Sequence, residues 1–215
     1  MSAAAGELGG GRVLVVTAVA AERDAIAAGW PGSIQIVGVG AAAAAAGTAR
    51  LLATGHYDAV VCAGIGGGFA SRIAVGGIAL ATESIAADLG ADSPEGFLAL
   101  SDLGFGPTSH PADDGLREAL RAALPAAASG PILTVNTVTG TAAATRGLEA
   151  RHPAAVAEGM EGFGVATAAA GAGVPFAEVR TISNLIGPRD RAAWRIPDAL
   201  AALAEVGRAL GKLSW

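Results

Sequence analysis

Three polar residues stand where apolar runs of this chain give out. Glu22 follows the first apolar run, in VVTAVAAER; Glu161 stands in EGMEGFGVA, ahead of a long apolar stretch in which only Glu178 and Arg180 are charged; Asn184 closes that stretch, in VRTISNLIG. A carboxylate in apolar surroundings is costly unless neighbours or a ligand pair with it. The ends of strands are also where open α/β sheets bind ligands. Each residue has a plainer reading on its own: a Glu in a first helical turn gains from the helix dipole, and Asn favours turns. Taken together, and with a glycine-rich turn at 64–68 (GIGGG), they point to one site for a polar ligand at the strand ends.

Other chemistries lack their residues. CAGIGGGF has Phe69 where a dinucleotide fingerprint needs its third glycine, and ASRIAVGGIAL leads into a strand where a helix should start. No lysine follows a glycine loop as in a nucleotide-triphosphate site, and no G-x-S-x-G elbow occurs. His56, His110 and His152 are scattered without Cys or carboxylate partners at ligand spacing, so neither a metal site nor a cofactor is expected. Cys62, the one cysteine, cannot form an internal disulfide; inside DAVVCAG it reads as a small core residue.

The elements that must hold these residues are legible as alternating patterns. Apolar runs at 12–18, 33–40, 58–64, 76–86, 131–138 and 174–183 predict buried strands. Residues 20–29, 41–55, 113–124, 141–152, 159–173 and 197–213 predict helices, the second ending at Gly55 and the last opening with Pro197. Residues 87–114 are rich in turn formers and lack a period, which predicts a long functional loop. Residues 1–11 read as a frayed tail, and 12–215 as one domain. Near-continuous apolar strands alternating with helices argue for an α/β fold whose mostly parallel sheet is covered on both faces.

Composition narrows the partners. Of 215 residues, 52% are apolar and only 15% charged, the balance of a compact, well-buried globule. A net charge of −5 offers no electrostatic footprint for nucleic acid. No apolar run is long and unbroken enough to span a membrane. The start, MSAAAGELGGGR, lacks the basic region and apolar core of a secretory leader, so a cytoplasmic protein is expected.

The order of these signals resembles the nucleoside phosphorylase/nucleosidase superfamily across almost the whole chain: a strand followed by Glu22, AGIGGG after the third strand, NTV at 136–138, GMEG before a helix, then GVPF and RTISN. Within it the pattern is similar to the methylthioadenosine/S-adenosylhomocysteine nucleosidases and the futalosine hydrolases. The resemblance implies a single α/β/α sandwich with a mixed, mostly parallel sheet, commonly assembled as a homo-oligomer, and a purine nucleoside as substrate. It implies that Glu161 accepts hydrogen bonds from the ribose hydroxyls while Met160 lies against the sugar. Glu22 falls on the base that activates water, Asn184 on the residue facing the purine N7, and Trp194 on an aromatic that closes over the ligand. Cleaving an N-glycosidic bond builds positive charge on the ribose, and a carboxylate held beside it is most valuable when that charge appears.

Departures from the family pattern sharpen the reading. Ile65 stands where the glycine-rich turn usually carries a hydroxyl, with Gly64 and Gly66 kept, which weakens a phosphate site and favours hydrolysis. Thr137 and Val138 replace the aromatic pair that faces the base in the methylthioadenosine enzymes. Asn184 replaces the usual Asp. That swap, with NTVTG and SNLIGPRD, is similar to futalosine hydrolases of menaquinone biosynthesis and implies release of hypoxanthine and dehypoxanthinyl futalosine from futalosine. Residues 87–114 are the expected contact for the benzoate end. A methylthioadenosine-type nucleosidase, a phosphorylase and a catalytically silent nucleoside-binding protein are the alternatives.

Overall fold

The computed structural model describes residues 12–213; the expected tail at 1–11 lies outside the described residues. Strand β1 (Val13–Thr17) is buried on both faces. Val13 and Val15 pack with Ile26 of helix α1 (Ala20–Ala27) and with Leu203 and Val206 of the terminal helix, whereas Leu14 and Val16 pack with Ala44, Val165 and Ala166 on the other side. Two-sided burial is why the strand reads as a continuous apolar run. Strands β2 (Ser33–Ile36) and β3 (Ala59–Gly68) flank β1 in parallel, with helix α2 (Ala41–Thr54) between them in sequence.

The chain continues through β4 (Ile78–Ala86), β5 (Gly90–Ser93), β6 (Gly96–Ala99), β7 (Ser109–Pro111), α3 (Asp114–Ala123), β8 (Ala128–Thr134) and α4 (Ala142–Arg151). It ends with β9 (Ala157–Gly159), α5 (Gly162–Ala172), β10 (Phe176–Leu185), a 3-10 turn (Arg191–Ala193) and α6 (Ile196–Leu210). Strand β3 pairs in parallel with β10, β10 antiparallel with β4, β4 in parallel with β8, and β8 in parallel with β9. Strand β9 returns antiparallel to the far end of β3, so these five strands close into a ring with β1 and β2 as an extension. The sheet is mixed and mostly parallel, as expected. Helices α1, α3 and α6 supply apolar residues to the core on one side and α2 and α5 to the core on the other.

Three local expectations need correction. The glycine stretch 64–68 is not a turn: β3 runs through it to Gly68, paired along one edge with residues 180–185 of β10 and at its end with β9. The glycines are there for space. A Cβ on Gly64 would sit 2.7 Å from Glu22 Oε1 and 2.8 Å from Arg180 Nη1, and one on Gly66 would sit 2.5 Å from the Glu158 carbonyl oxygen. Residues 87–114 are not one long loop, because β5 and β6 form a hairpin and β7 adds to the edge of β4. Helix α5 starts at Gly162, not at 159, because the residues before it form β9.

Candidate active site

A cleft of about 490 Å³ opens where β1, β3, β9 and β10 end and helices α1 and α5 begin. Glu22, Gly66, Val138, Met160, Glu161, Asn184 and Trp194 all line it. Thr137 does not. Strand β8 stops at Thr134, and Asn136 is tied outward to Asp88 through its backbone N–H (2.7 Å) and its side-chain amide (3.1 Å), which leaves Thr137 exposed. Two residues on, Thr139 lines the cleft in its place. No residue of 87–114 lines the cleft among the described residues, so the expected contact of that segment with the far end of a ligand is not seen within the chain.

Glu22 sits in the first turn of α1 and is only 3% exposed. Its Oε2 accepts from the backbone N–H groups of Ala18 (3.0 Å) and Val19 (3.2 Å), and its Oε1 from that of Ile65 (2.9 Å). Three backbone donors that could otherwise cradle an anion are thus filled by the protein's own carboxylate, which keeps one lone pair, on Oε1.

Glu161 is the N-cap residue of α5 and is also buried. Gly40, at φ 90°, turns its N–H onto Oε1 at 3.1 Å, a backbone conformation that suits glycine. Oε2 accepts from Arg180 Nη1 at 3.0 Å and from the Met160 N–H at 3.3 Å. Arg180 is fully buried and also donates through Nε to Glu178 Oε1 (2.9 Å) and through Nη2 to Cys62 Sγ (3.3 Å). Glu178 and Arg180 are two apart on β10, so they share a face, the one covered by α5. Burial disfavours the Arg180 charge, but the carboxylates of Glu178, Glu161 and Glu22 around it hold the guanidinium protonated. Burial pushes the Cys62 thiol well up, past what the pull of Arg180 offsets, so Cys62 is the neutral core residue expected from its sequence setting. Burial likewise pushes Glu178 up against the pull of Arg180 and Ser84.

Asn184 lies at an irregularity in the β10–β3 pairing, opposite Gly67. Its Nδ2 donates to the Leu185 carbonyl at 3.0 Å, and a carbonyl can only accept, which fixes the orientation of the amide. Oδ1 then accepts from Ser183 Oγ at 2.8 Å. One N–H and one lone pair of the amide are left for a ligand. Trp194 follows the 3-10 turn, which Asp190 caps, and the Arg195 N–H bonds to the Ser183 carbonyl at 2.8 Å, bringing the segment back beside β10. The guanidinium carbons of Arg189 and Arg191 lie 5.8 and 5.9 Å from the Trp194 ring.

Glu158 and Thr139 were not anticipated. Glu158 lines the cleft at 3% exposure; its Oε1 accepts from the Thr139 N–H at 3.0 Å and its Oε2 from the Thr139 hydroxyl. Burial first, and Asp88 as a lesser cause, push its carboxyl up, while the two Thr139 bonds hold it down. The sequence signal for Arg180 was its i, i+2 spacing from Glu178 inside a buried strand; for Glu158 it was a second acid three residues before Glu161.

The phosphorylase superfamily matches residues 2–214 of the chain. A futalosine hydrolase from Streptomyces coelicolor is 48% identical, with 94% of this chain and 94% of that protein covered. One from Acidothermus cellulolyticus is 47% identical over 92% of this chain and 89% of its own length. Among solved structures, the methylthioadenosine/S-adenosylhomocysteine nucleosidase of Neisseria meningitidis in complex with methylthio-immucillin-A superposes with a TM-score of 0.82 over 94% of this chain and 99% of that one, at 19% identity. The corresponding nucleosidase of Colwellia psychrerythraea in complex with adenine gives 0.77 over 95% and 98%, at 22% identity.

Proposed function

The chain belongs to the phosphorylase superfamily, and from that premise we propose that it hydrolyses the N-glycosidic bond of futalosine, releasing hypoxanthine and dehypoxanthinyl futalosine. The observation that carries this reading is the near-full-length identity with futalosine hydrolases. In this reading Glu22 takes a proton from the attacking water, Glu161 holds the ribose hydroxyls, and Met160 packs against the sugar. Positive charge growing on the ribose is met by the Glu161 carboxylate, which Arg180, Gly40 and Met160 keep in one orientation before the reaction begins. Asn184 donates its free N–H to O6 and offers Oδ1 to N7 as that nitrogen gains a proton, the proton itself coming from water or a relay. Val138 borders the base, Gly66 presents bare backbone to the ligand, and Trp194 closes over it.

The filled anion cradle favours water over phosphate as the nucleophile. The N–H groups of Ala18, Val19 and Ile65 are committed to Glu22, so an incoming phosphate would meet a carboxylate and few free donors. The reading carries with it a role in menaquinone biosynthesis and a homo-oligomeric assembly, both from the resemblance, and a cytoplasmic location, from the sequence pattern. The test is hypoxanthine release from futalosine by the purified protein, with and without phosphate. Release at the same rate in both supports the proposal; a requirement for phosphate, or no release in either, overturns it.

A further inference from the structure

We propose that Glu178 sets the charge with which the cleft meets the ribose, by neutralising Arg180 so that Glu161 keeps its own. The inference rests on the nucleosidase reading above. Glu178 is fully buried and does not line the cleft, so it is a positioning residue that acts through its neighbour. Arg180 is the link. Its Nε donates to Glu178 Oε1 at 2.9 Å and its Nη1 to Glu161 Oε2 at 3.0 Å, so one guanidinium lies between the two carboxylates. The same guanidinium borders Glu22: a Cβ on Gly64 would come within 2.8 Å of Arg180 Nη1 and 2.7 Å of Glu22 Oε1. Uncompensated, this cation would offset the charge of both carboxylates on which the proposed reaction depends. A second positive end lies nearby, the first turn of α5, which Glu161 caps. The Glu178 carboxylate lies against that turn as well, since a Cβ on Gly162 would collide with both of its oxygens.

Hydrogen bonding does not account for a charge at this position. Arg180 Nε needs one acceptor, and a neutral glutamine would supply it through its amide oxygen. The carboxylate instead leaves Oε2 buried without a hydrogen-bond partner, although the Ser84 hydroxyl, which faces Thr134 at 3.4 Å, stands near enough to ease its charge. An ion pair with an orphaned oxygen is a costly way to fill a core. What the charge adds is balance. Glu178, Arg180 and Glu161 together carry one negative charge, whereas Arg180 and Glu161 alone carry none. That single charge is what a ribosyl cation meets, and it matters in proportion to the positive charge that forms.

Glu178→Gln keeps the volume and the acceptor for Arg180 Nε, and its NH₂ takes the place of the orphaned oxygen beside Ser84. Two non-cleavable ligands with the same base read the charge: 9-deazainosine, whose ribose is neutral, and the iminoribitol of 9-deazahypoxanthine, whose ring nitrogen carries a proton. The experiment is calorimetric binding of both ligands near neutrality to wild type, Glu178→Gln and Glu178→Asp, beside futalosine kcat and KM for each protein. Two hydrogen-bond lengths and the guanidinium between them put Glu178 about 9 Å from the ribose, where one unit charge at an effective dielectric of about 20 is worth about 20-fold in the affinity of a cation. Glu178→Gln should therefore lose about 20-fold for the cationic ligand, change by less than about threefold for the neutral one, and lower kcat about tenfold with KM nearly unmoved. Glu178→Asp keeps the charge and shortens the reach, so it should hold the ratio of the two affinities within about threefold of wild type, whether or not Glu178→Gln folds. Equal loss for both ligands, or a ratio lost in Glu178→Asp as in Glu178→Gln, would mean that Glu178 only holds Arg180 in place. Wild-type values in Glu178→Gln would mean that its charge does not reach the site. Each of these results overturns the inference while futalosine hydrolysis stands. Failure of the hydrolase reading is seen separately, as absence of futalosine turnover in a wild type that still prefers the cationic ligand.

Discussion

Replacing Arg180 by Met is the sharpest test of how the cleft floor is held. The guanidinium is buried, bridges Glu161 and Glu178, and touches Cys62; Met fills much of the same volume without charge. Breaking one buried ion pair by removing a partner costs about 3–5 kcal/mol. Two carboxylates lose their cation here, so the upper end applies. For a chain of this size each kcal/mol moves Tm by about 2–4 °C, which puts the expected fall at roughly 10–20 °C near pH 7. The pH dependence carries the mechanism. Glu178 is already pushed up by burial with Arg180 beside it, and without the cation it rises further. A carboxyl whose folded value lies above its unfolded one has its stability in place below the unfolded value and loses it as pH rises through the folded value. The deficit of the variant against wild type should therefore be largest near neutrality and narrow toward about pH 4. Thermal unfolding of both proteins across that range checks it. A deficit that is flat with pH, or a Tm within about 3 °C of wild type at pH 7, would refute the account of Arg180 as the counter-charge of this floor.

Glu22→Gln should lower kcat by about 10²–10⁴ with hypoxanthine binding retained, and should lower Tm by a few degrees because an NH₂ now faces one of the backbone donors; wild-type turnover would remove Glu22 from the reaction. Glu161→Gln should lower kcat more than it raises KM, and should shrink the penalty against a 2′-deoxyribosyl substrate; an unchanged 2′-deoxy penalty would mean that Glu161 does not meet that hydroxyl. Asn184→Asp should move preference from futalosine toward its 6-amino analogue, measured as the ratio of kcat/KM values, since a carboxyl can accept from a 6-amino group; no movement would leave base choice elsewhere. Gly164→Ala drives a Cβ to 2.1 Å from the Ala41 carbonyl oxygen, where α5 crosses α2, and should cost about 1–3 kcal/mol of stability, read as a lowered Tm.

Much of the frame was legible because burial on both faces writes itself into composition. Strands β1 and β3 open with near-continuous apolar runs, and the helices are bounded by readable signals: Gly55 after α2, the capping Asp113 before α3, Pro197 at the start of α6. What escaped was structure made by pairing and not by side-chain pattern. The glycine run of β3 looks like a turn because glycine is rare inside strands; it is a strand because β10 and β9 satisfy its backbone and the space where side chains would stand is taken by Glu22, Arg180 and the Glu158 carbonyl. Strand β9 is three residues long, too short to show a period.

The same distinction separates the cleft-lining residues that the sequence put forward from those that it passed over. Glu22, Glu161 and Asn184 each break an apolar context at the end of an element, so polarity alone exposed them. Thr137 was chosen and Thr139 passed over because Thr137, with Val138, falls on the aromatic pair of the resemblance, and residue type does not tell the two threonines of NTVTG apart. Only the pull of Asp88 on Asn136 and the return of the chain to Glu158 decide which one enters the cleft. Arg180 and Glu158 show the limit from the other side. Each is a charge whose meaning depends on a partner elsewhere in the chain: Arg180 on β10 serves Glu161 at the start of α5, and Glu158 on β9 accepts from Thr139. A residue that touches ligand alone can be read from its own neighbourhood. A residue that works by holding becomes visible only when the sheet sets the register, and the cleft joins both kinds at the strand ends.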